Sequence, residues 1–293
     1  MLSRVLFRCL LMPLAYLPLW VHYAFSSLAA PVLHRVLRYR LDVVRRNLQA
    51  AFPDKSDKER RQIERRYYRH LADLLVEGIY NLRATPRQLL NHYRLCNREV
   101  VNRYYEEGQS VILMSSHYNN WEYMVSSLNF QLRHHGVGVG KPISDKGFGY
   151  ELNKRRTRYG TEVVDQTNVR QVMAWYEEHH VPVAYMMLSD QSPSNPMKSF
   201  WTQFLNQDTA FLYGSEHFAR KYHYPVIYYE VRKERRGHYA VYFHELCADP
   251  DELPEGGITY NYVNKLEHLI KDKPEYWLWS HRRWKLNKKK VIS

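Results

Sequence analysis

Short apolar runs and amphipathic stretches follow one another along this chain with a regularity that sets its architecture. The runs Ser110–Ser115, Val137–Lys141, Thr161–Val164, Val181–Leu188, Pro225–Arg232 and His238–Leu246 predict strands. Between them, Arg98–Glu107, Asn120–His134, Lys146–Tyr159, Val169–His179, Ala210–Tyr222 and Ile258–Lys271 predict helices. Strand and helix in such alternation imply an α/β fold, a mainly parallel sheet flanked by helices. The last two strands, separated by Lys233-Glu234-Arg235-Arg236-Gly237, read as an antiparallel hairpin at one edge, which makes the sheet mixed.

Two helices precede this unit. Ser56-Asp57-Lys58-Glu59, just after Pro53, has the form of a capping box. It opens a helix to about Tyr80 with Ile63, Tyr67, Leu71, Leu74 and Leu75 near one face and Gly78 as its terminator. Leu41–Phe52 is helical too, with Val44, Leu48 and Phe52 in step.

Further upstream the pattern changes. Between Cys9 and Leu33 the only ionisable side chains are Tyr16, His22 and Tyr23, a stretch long enough to cross a hydrocarbon core of about 30 Å as a helix. Pro13 and Pro18 kink such a span or make it re-entrant. Arg4 and Arg8 before the run and Ser27-Leu28-Ala29 within it also fit a cleaved signal peptide. Arg35, Arg38, Arg40, Arg45 and Arg46 follow at once, and by the positive-inside rule they hold the downstream domain in the cytoplasm. The reading adopted is an uncleaved membrane anchor over residues 1–36 and one α/β domain over 37–293, since no repeat or linker divides the rest.

Composition narrows the partners. Forty-three Lys and Arg against 30 Asp and Glu give a net charge of +13, which suits nucleic acid, an anionic lipid or an acidic carrier protein. Cys9, Cys96 and Cys247 are far apart and form neither a disulfide framework nor a zinc pattern, as in a reducing compartment. No glycine-rich phosphate loop occurs, which counts against nucleotide-driven chemistry.

The chemistry-bearing residues cluster at strand ends. His117 and Glu122 lie in Ser116-His117-Tyr118-Asn119-Asn120-Trp121-Glu122, just past the apolar strand Ser110–Ser115, where α/β folds place their sites. On one helix, residues five apart diverge by roughly 140°. A loop His117 and a first-turn Glu122 can meet, the carboxylate holding one imidazole nitrogen while the other accepts a proton. Asn153-Lys154-Arg155-Arg156-Thr157-Arg158-Tyr159-Gly160 is either a solvated helix end or a clamp on negative charge. Asp190 and Gln191 follow the strand Val181–Leu188 and either position a substrate or begin a turn. Phe200 and Trp201 supply bulky side chains for packing or for an acyl groove. The C-terminal Pro274-Glu275-Tyr276-Trp277-Leu278-Trp279-Ser280-His281-Arg282-Arg283-Trp284-Lys285 fits a membrane-interface belt, a nucleic-acid stacking surface or ordinary packing.

Taken in order, these segments carry a resemblance. Val44-Arg45-Arg46-Asn47-Leu48 with Ala51-Phe52-Pro53, the His117 to Glu122 motif, Arg158-Tyr159-Gly160, Asp190-Gln191, Phe200-Trp201, Thr209-Ala210 to Gly214, and Pro274-Glu275-Tyr276 to Lys285 resemble the late acyltransferases of lipid A biosynthesis. That is the lauroyl/myristoyl-transferase branch of the lysophospholipid acyltransferase superfamily, and the likeness covers about residues 40 to 286. Two positions depart from the family pattern. Asn119 stands where Gly is frequent, and Asn tolerates a left-handed turn; Phe200-Trp201 stands where Phe-Phe is usual.

The resemblance implies a glycerol-3-phosphate acyltransferase-like sheet at the cytoplasmic face of the inner membrane. It implies transfer of a fatty acyl chain from an acyl carrier protein thioester to a hydroxyl of a lipid A precursor or related anionic lipid. His117 would act as base, with Glu122 orienting it. Arg158 would be the first choice to stabilise the oxyanion, with Arg155 and Arg156 as alternatives and Asp190 supporting that arginine or the substrate. Phe200 and Trp201 would line the acyl groove. No metal, nucleotide or other cofactor is required, and no nucleic acid partner is expected. The alternative is an enzyme of the same superfamily acting on an aminolipid, a glycerophospholipid or another glycolipid.

Overall fold

A computed structural model describes residues 2–286. Seven strands form one sheet in the order β1-β9-β8-β2-β5-β3-β4. These are β1 (Tyr93–Leu95), β2 (Val111–Ser115), β3 (His135–Gly140), β4 (Glu162–Asp165), β5 (Val183–Leu188), β8 (Val226–Arg235) and β9 (His238–Cys247). A separate antiparallel hairpin is made of β6 (Ser199–Phe204) and β7 (Gln207–Leu212). All pairs of the main sheet are parallel except β8 with β9.

The central strand β2 is buried along its whole length, as its apolar run Val111–Met114 requires of a parallel strand covered on both faces. Its residues alternate between two cores. Ile112 and Met114 pack with the helices Leu41–Ala51, Asp57–Asn81, Gly214–Tyr222 and Gly257–Asp272, whereas Val111 and Leu113 pack with Pro86–His92, Glu99–Glu106 and Trp121–Gln131. The domain is therefore a three-layer α/β/α sandwich.

Three expectations need adjustment. The β8–β9 hairpin is not the sheet edge, because the short β1 pairs parallel with β9 over Tyr93↔Tyr239 to Leu95↔Val241. The segment Ala210–Leu212 ends strand β7 rather than beginning a helix, which starts at Gly214. The capping box forms, with the Glu59 amide donating to Ser56 Oγ at 3.3 Å and the Ser56 amide donating to Glu59 at 2.7 Å, but the helix runs through Gly78 to Asn81.

The N-terminal segment breaks where the prolines stand. Helical stretches Ser3–Leu14 and Leu19–Val36 are bent by 115°, and among the described residues no single helix is long and apolar enough to cross a membrane. Leu19–Val36 runs antiparallel along Asp57–Asn81, tied by polar bonds: Tyr23 Oη to Glu77 at 2.8 Å, Ser26 Oγ to Asp73 at 2.6 Å and His34 Nε2 to Glu64 at 2.6 Å. Its outer side leaves Trp20, Phe25, Leu28 and Val36 exposed. Gly237, in the β8–β9 turn at φ 76°, permits this packing, since a Cβ there would collide with the Tyr23 ring.

Candidate active site

Strands β2 and β5 are parallel neighbours in the register Ser115↔Leu188, and the Ser189 amide donates to the Ser115 carbonyl at 3.0 Å. Two residues beyond each register partner, His117 and Asp190 therefore emerge side by side at the carboxyl end of the sheet. The imidazole Nδ1 lies 2.7 Å from Asp190 Oδ1. The other carboxylate oxygen accepts the His117 amide at 3.0 Å and the Trp277 indole N–H at 2.8 Å.

Asp190 is buried. Burial pushes its carboxyl up, but attraction to the His117 ring and the hydrogen bonds from His117 and the Trp277 indole outweigh that and hold it below the usual value. An ionised carboxylate can only accept, so Nδ1 carries the proton and Nε2 presents its lone pair. The Gln191 side-chain nitrogen donates to that Nε2 at 3.1 Å. Trp121 packs edge-on against the imidazole at 4.8 Å between centroids.

The loop is held from outside the motif. The Asn119 amide donates to the Tyr276 carbonyl at 3.0 Å, and the Leu278 amide to the His117 carbonyl at 3.1 Å. Asn119 adopts φ 56°, the left-handed turn the sequence allowed for, and its side chain donates to the Val231 carbonyl at 2.7 Å. Asn120 caps the next helix through the Tyr123 amide at 3.0 Å and donates to the buried Glu77 at 2.7 Å. The aromatic-cationic C-terminal segment is thus packing of a specific kind: Trp277 and Trp279 are buried, and His281 Nε2 accepts the Ser192 amide at 3.1 Å. The sequence offered no local sign that Trp277 would reach Asp190, because nothing near Asp190 marks a segment 87 positions away.

Glu122 sits in the first helical turn as expected, yet it does not hold the imidazole. Its Oε2 accepts Arg156 Nε at 2.9 Å, and its Oε1 pairs with Arg156 Nη2. The helix explains this: Trp121 occupies the face toward His117, and the next residue points about 100° away. Asp190 takes the orienting place that the sequence reading gave to Glu122, and it contacts neither Arg155, Arg156 nor Arg158. Arg158 is a strut, its Nη2 donating at 2.7 Å to the carbonyls of both Asn81 and Ala84. Arg156 is the arginine paired with the motif carboxylate.

Two cavities flank the motif. One, of about 600 Å³, is lined by Phe7, Leu74, Leu75, Gly78, Phe148 and Leu152 with Glu122, Arg155, Arg156 and Arg158 at its polar wall. The other, of about 410 Å³, is lined by His117 and Gln191 with Lys141, Thr167 and Ser192. Trp121 lines the first and touches the imidazole that lines the second. Phe200 lines neither; it borders a third cavity that shares Gly214 and Phe218 with the His117 cleft. Trp201 bonds its indole to the Pro196 carbonyl at 3.2 Å within the β6–β7 region.

An imidazole fixed by a buried carboxylate thus lies next to an arginine–glutamate pair and an apolar cavity. Residues 2–286 match the profile of the bacterial lipid A biosynthesis acyltransferases, and the chain belongs to that family. It is an acyltransferase. The chain is 22% identical over 280 residues to the lipid A biosynthesis lauroyltransferase of Escherichia coli (strain K12), a match covering 94% of this chain and 89% of that protein.

Proposed function

We propose that the protein moves a fatty acyl chain from an acyl carrier protein thioester to a hydroxyl of a lipid A precursor, at the cytoplasmic face of the inner membrane. His117 Nε2 takes the hydroxyl proton as the oxygen attacks the thioester carbonyl. The tetrahedral oxyanion collapses, the C–S bond breaks, and the proton passes from imidazolium to the leaving thiolate. Asp190 keeps Nδ1 protonated and steadies the transient imidazolium. Arg156, aligned by Glu122, supplies positive charge for the oxyanion. The reaction as written calls on no metal or cofactor.

The observation that carries this reading is the doubly anchored His117, its Nε2 lone pair facing a cleft, in a chain of this family. The apolar cavity at Glu122 suits the acyl chain, and the His117 cleft, with Lys141 and Thr167, suits a polar acceptor. The exposed apolar side chains of Leu19–Val36 and the surplus of cations suit a bilayer surface and an acidic carrier protein.

Purified protein incubated with acyl carrier protein thioesters and a panel of lipid A precursors, aminolipids, glycerophospholipids and glycolipids tests it. Acylation of the lipid A precursor in preference to the rest is the expected result. Modification of another lipid while the precursor stays unchanged would overturn the choice of acceptor.

A further inference from the structure

A second polar site lies on a different face of the long helix Asp57–Asn81. Between this helix, Leu19–Val36 and the tip of the β8–β9 hairpin is a cavity of about 480 Å³ lined by Ser27, His34, Arg35, Arg65, Arg69 and Arg236. A depression of about 340 Å³ shares His34, Arg35 and Arg65 with it and adds Arg38 and Arg61.

Asp73 also lines the first cavity and Glu64 the depression, and both acids are already used. Asp73 accepts Arg236 at 2.6 and 3.0 Å and Ser26 at 2.6 Å, and Lys233 stands 3.3 Å away. Glu64 accepts Arg45 at 2.9 Å and His34 at 2.6 Å. Among the described residues, the side chains of Arg35, Arg38, Arg61, Arg65 and Arg69 make no hydrogen bond or ion pair with the protein. Arg61, Arg65 and Arg69 are spaced at i, i+4 and i+8, so they stack like charges along one helix face. That arrangement opposes helix stability unless an anion relieves it.

Guanidinium forks from two helices around one cavity match the several acceptor oxygens of a phosphate group better than a single carboxylate. The setting selects the carrier. Phe25, Leu28, Val32 and Val36 are exposed on the same helix that supplies His34 and Arg35. An apolar ridge edged by arginines lies in a membrane interface, at headgroup depth. We infer that the Arg35/Arg65/Arg69/Arg236 cavity binds the phosphate headgroup of an anionic membrane lipid, separately from the catalytic cavities. It docks the enzyme with Leu19–Val36 lying in the plane of the bilayer surface. The inference rests on the reading that these helices meet a membrane, but not on which acceptor is acylated.

Flotation of the full-length protein with vesicles tests it, using phosphatidylcholine alone or mixed with phosphatidic acid. The wild type binds the phosphatidic acid vesicles more tightly. Replacing Arg65→Gln and Arg69→Gln together weakens that binding roughly twenty- to thirtyfold. The same pair leaves turnover on detergent-dispersed substrates unchanged, and the free protein melts no lower, because a repulsion has been removed. A control with the same charge loss on other helices, Arg87→Gln with Arg170→Gln, retains binding.

Equal loss in variant and control would reduce the effect to bulk charge and overturn the site. Undiminished binding by Arg65→Gln/Arg69→Gln would overturn it as well. Stabilisation of the wild type by inorganic phosphate, as large as that by phosphatidic acid vesicles, would make it a soluble-phosphate site instead. Failure of the wild type to bind any vesicle would sink the membrane reading itself while leaving the acyl-transfer reading standing.

Discussion

His117 and Asp190 are 73 positions apart in the chain, and their side chains meet at 2.7 Å because β2 and β5 are parallel neighbours. The contact is double, since the same carboxylate also accepts the His117 amide at 3.0 Å. One residue thus fixes both the backbone position and the tautomer of the imidazole. Replacing Asp190→Asn retains the shape but lets the amide stabilise the wrong tautomer. We expect kcat to fall by about 10²- to 10⁴-fold, with an unchanged circular dichroism spectrum. Near-normal kcat would remove Asp190 from the mechanism.

Glu122 and Arg156 form a unit, with Arg156 closer to the chemistry in this scheme. Arg156→Gln is expected to lower kcat by about 10²- to 10³-fold. Glu122→Gln costs less, and the double variant is no worse than Arg156→Gln alone. Arg156→Lys does not restore the rate, because an ammonium cannot reproduce the two-pronged pair. Additive losses in the double variant would mean that the two residues act independently.

Gly78 lies within a helix, where glycine costs about 1 kcal/mol relative to alanine. It lines the 600 Å³ apolar cavity, and a Cβ built there meets no atom within 4 Å. Filling that space should shorten the chain the enzyme accepts. With a series of acyl carrier protein thioesters, Gly78→Leu is expected to shift preference toward shorter donors at an equal or higher melting temperature. An unaltered chain-length profile would assign the acyl chain to another cavity.

Acid stability has a specific contributor. Burial lowers the His281 imidazole from 6.5 to about 4, and its Nε2 lone pair accepts the Ser192 amide. The folded pKa lies below the unfolded one, so this contribution is complete above pH 6.5 and is lost as pH falls toward 4. His134, also held at about 4 by burial, acts in the same direction. Melting temperatures across this window should therefore decline, and less steeply in His281→Gln, which cannot protonate. Parallel curves for the two proteins would exclude His281 as a source of the slope.

Much of the fold could be read because local pattern and tertiary burial agree. The run Val111–Met114 is apolar because both faces of its strand are covered, and Pro13 and Pro18 bracket the observed break between Leu14 and Leu19. The β6–β7 hairpin escaped because its turn, Leu205-Asn206, takes the left-handed conformation at both residues without the glycine that usually signals it. The site was legible as a set of residues but not as a set of pairs. Sequence proximity favoured Glu122 as the partner of His117, whereas strand pairing delivered Asp190 and left Glu122 to Arg156. Only the register of the sheet decides between them.

The most direct test of the account is mass spectrometry of the lipid product formed by wild type and His117→Ala from one acyl carrier protein thioester and a lipid A precursor. The wild type should add the mass of one acyl chain, and the variant, still folded, should lose orders of magnitude in rate. Acylation by His117→Ala at a near-wild-type rate would contradict the role of His117 as the base.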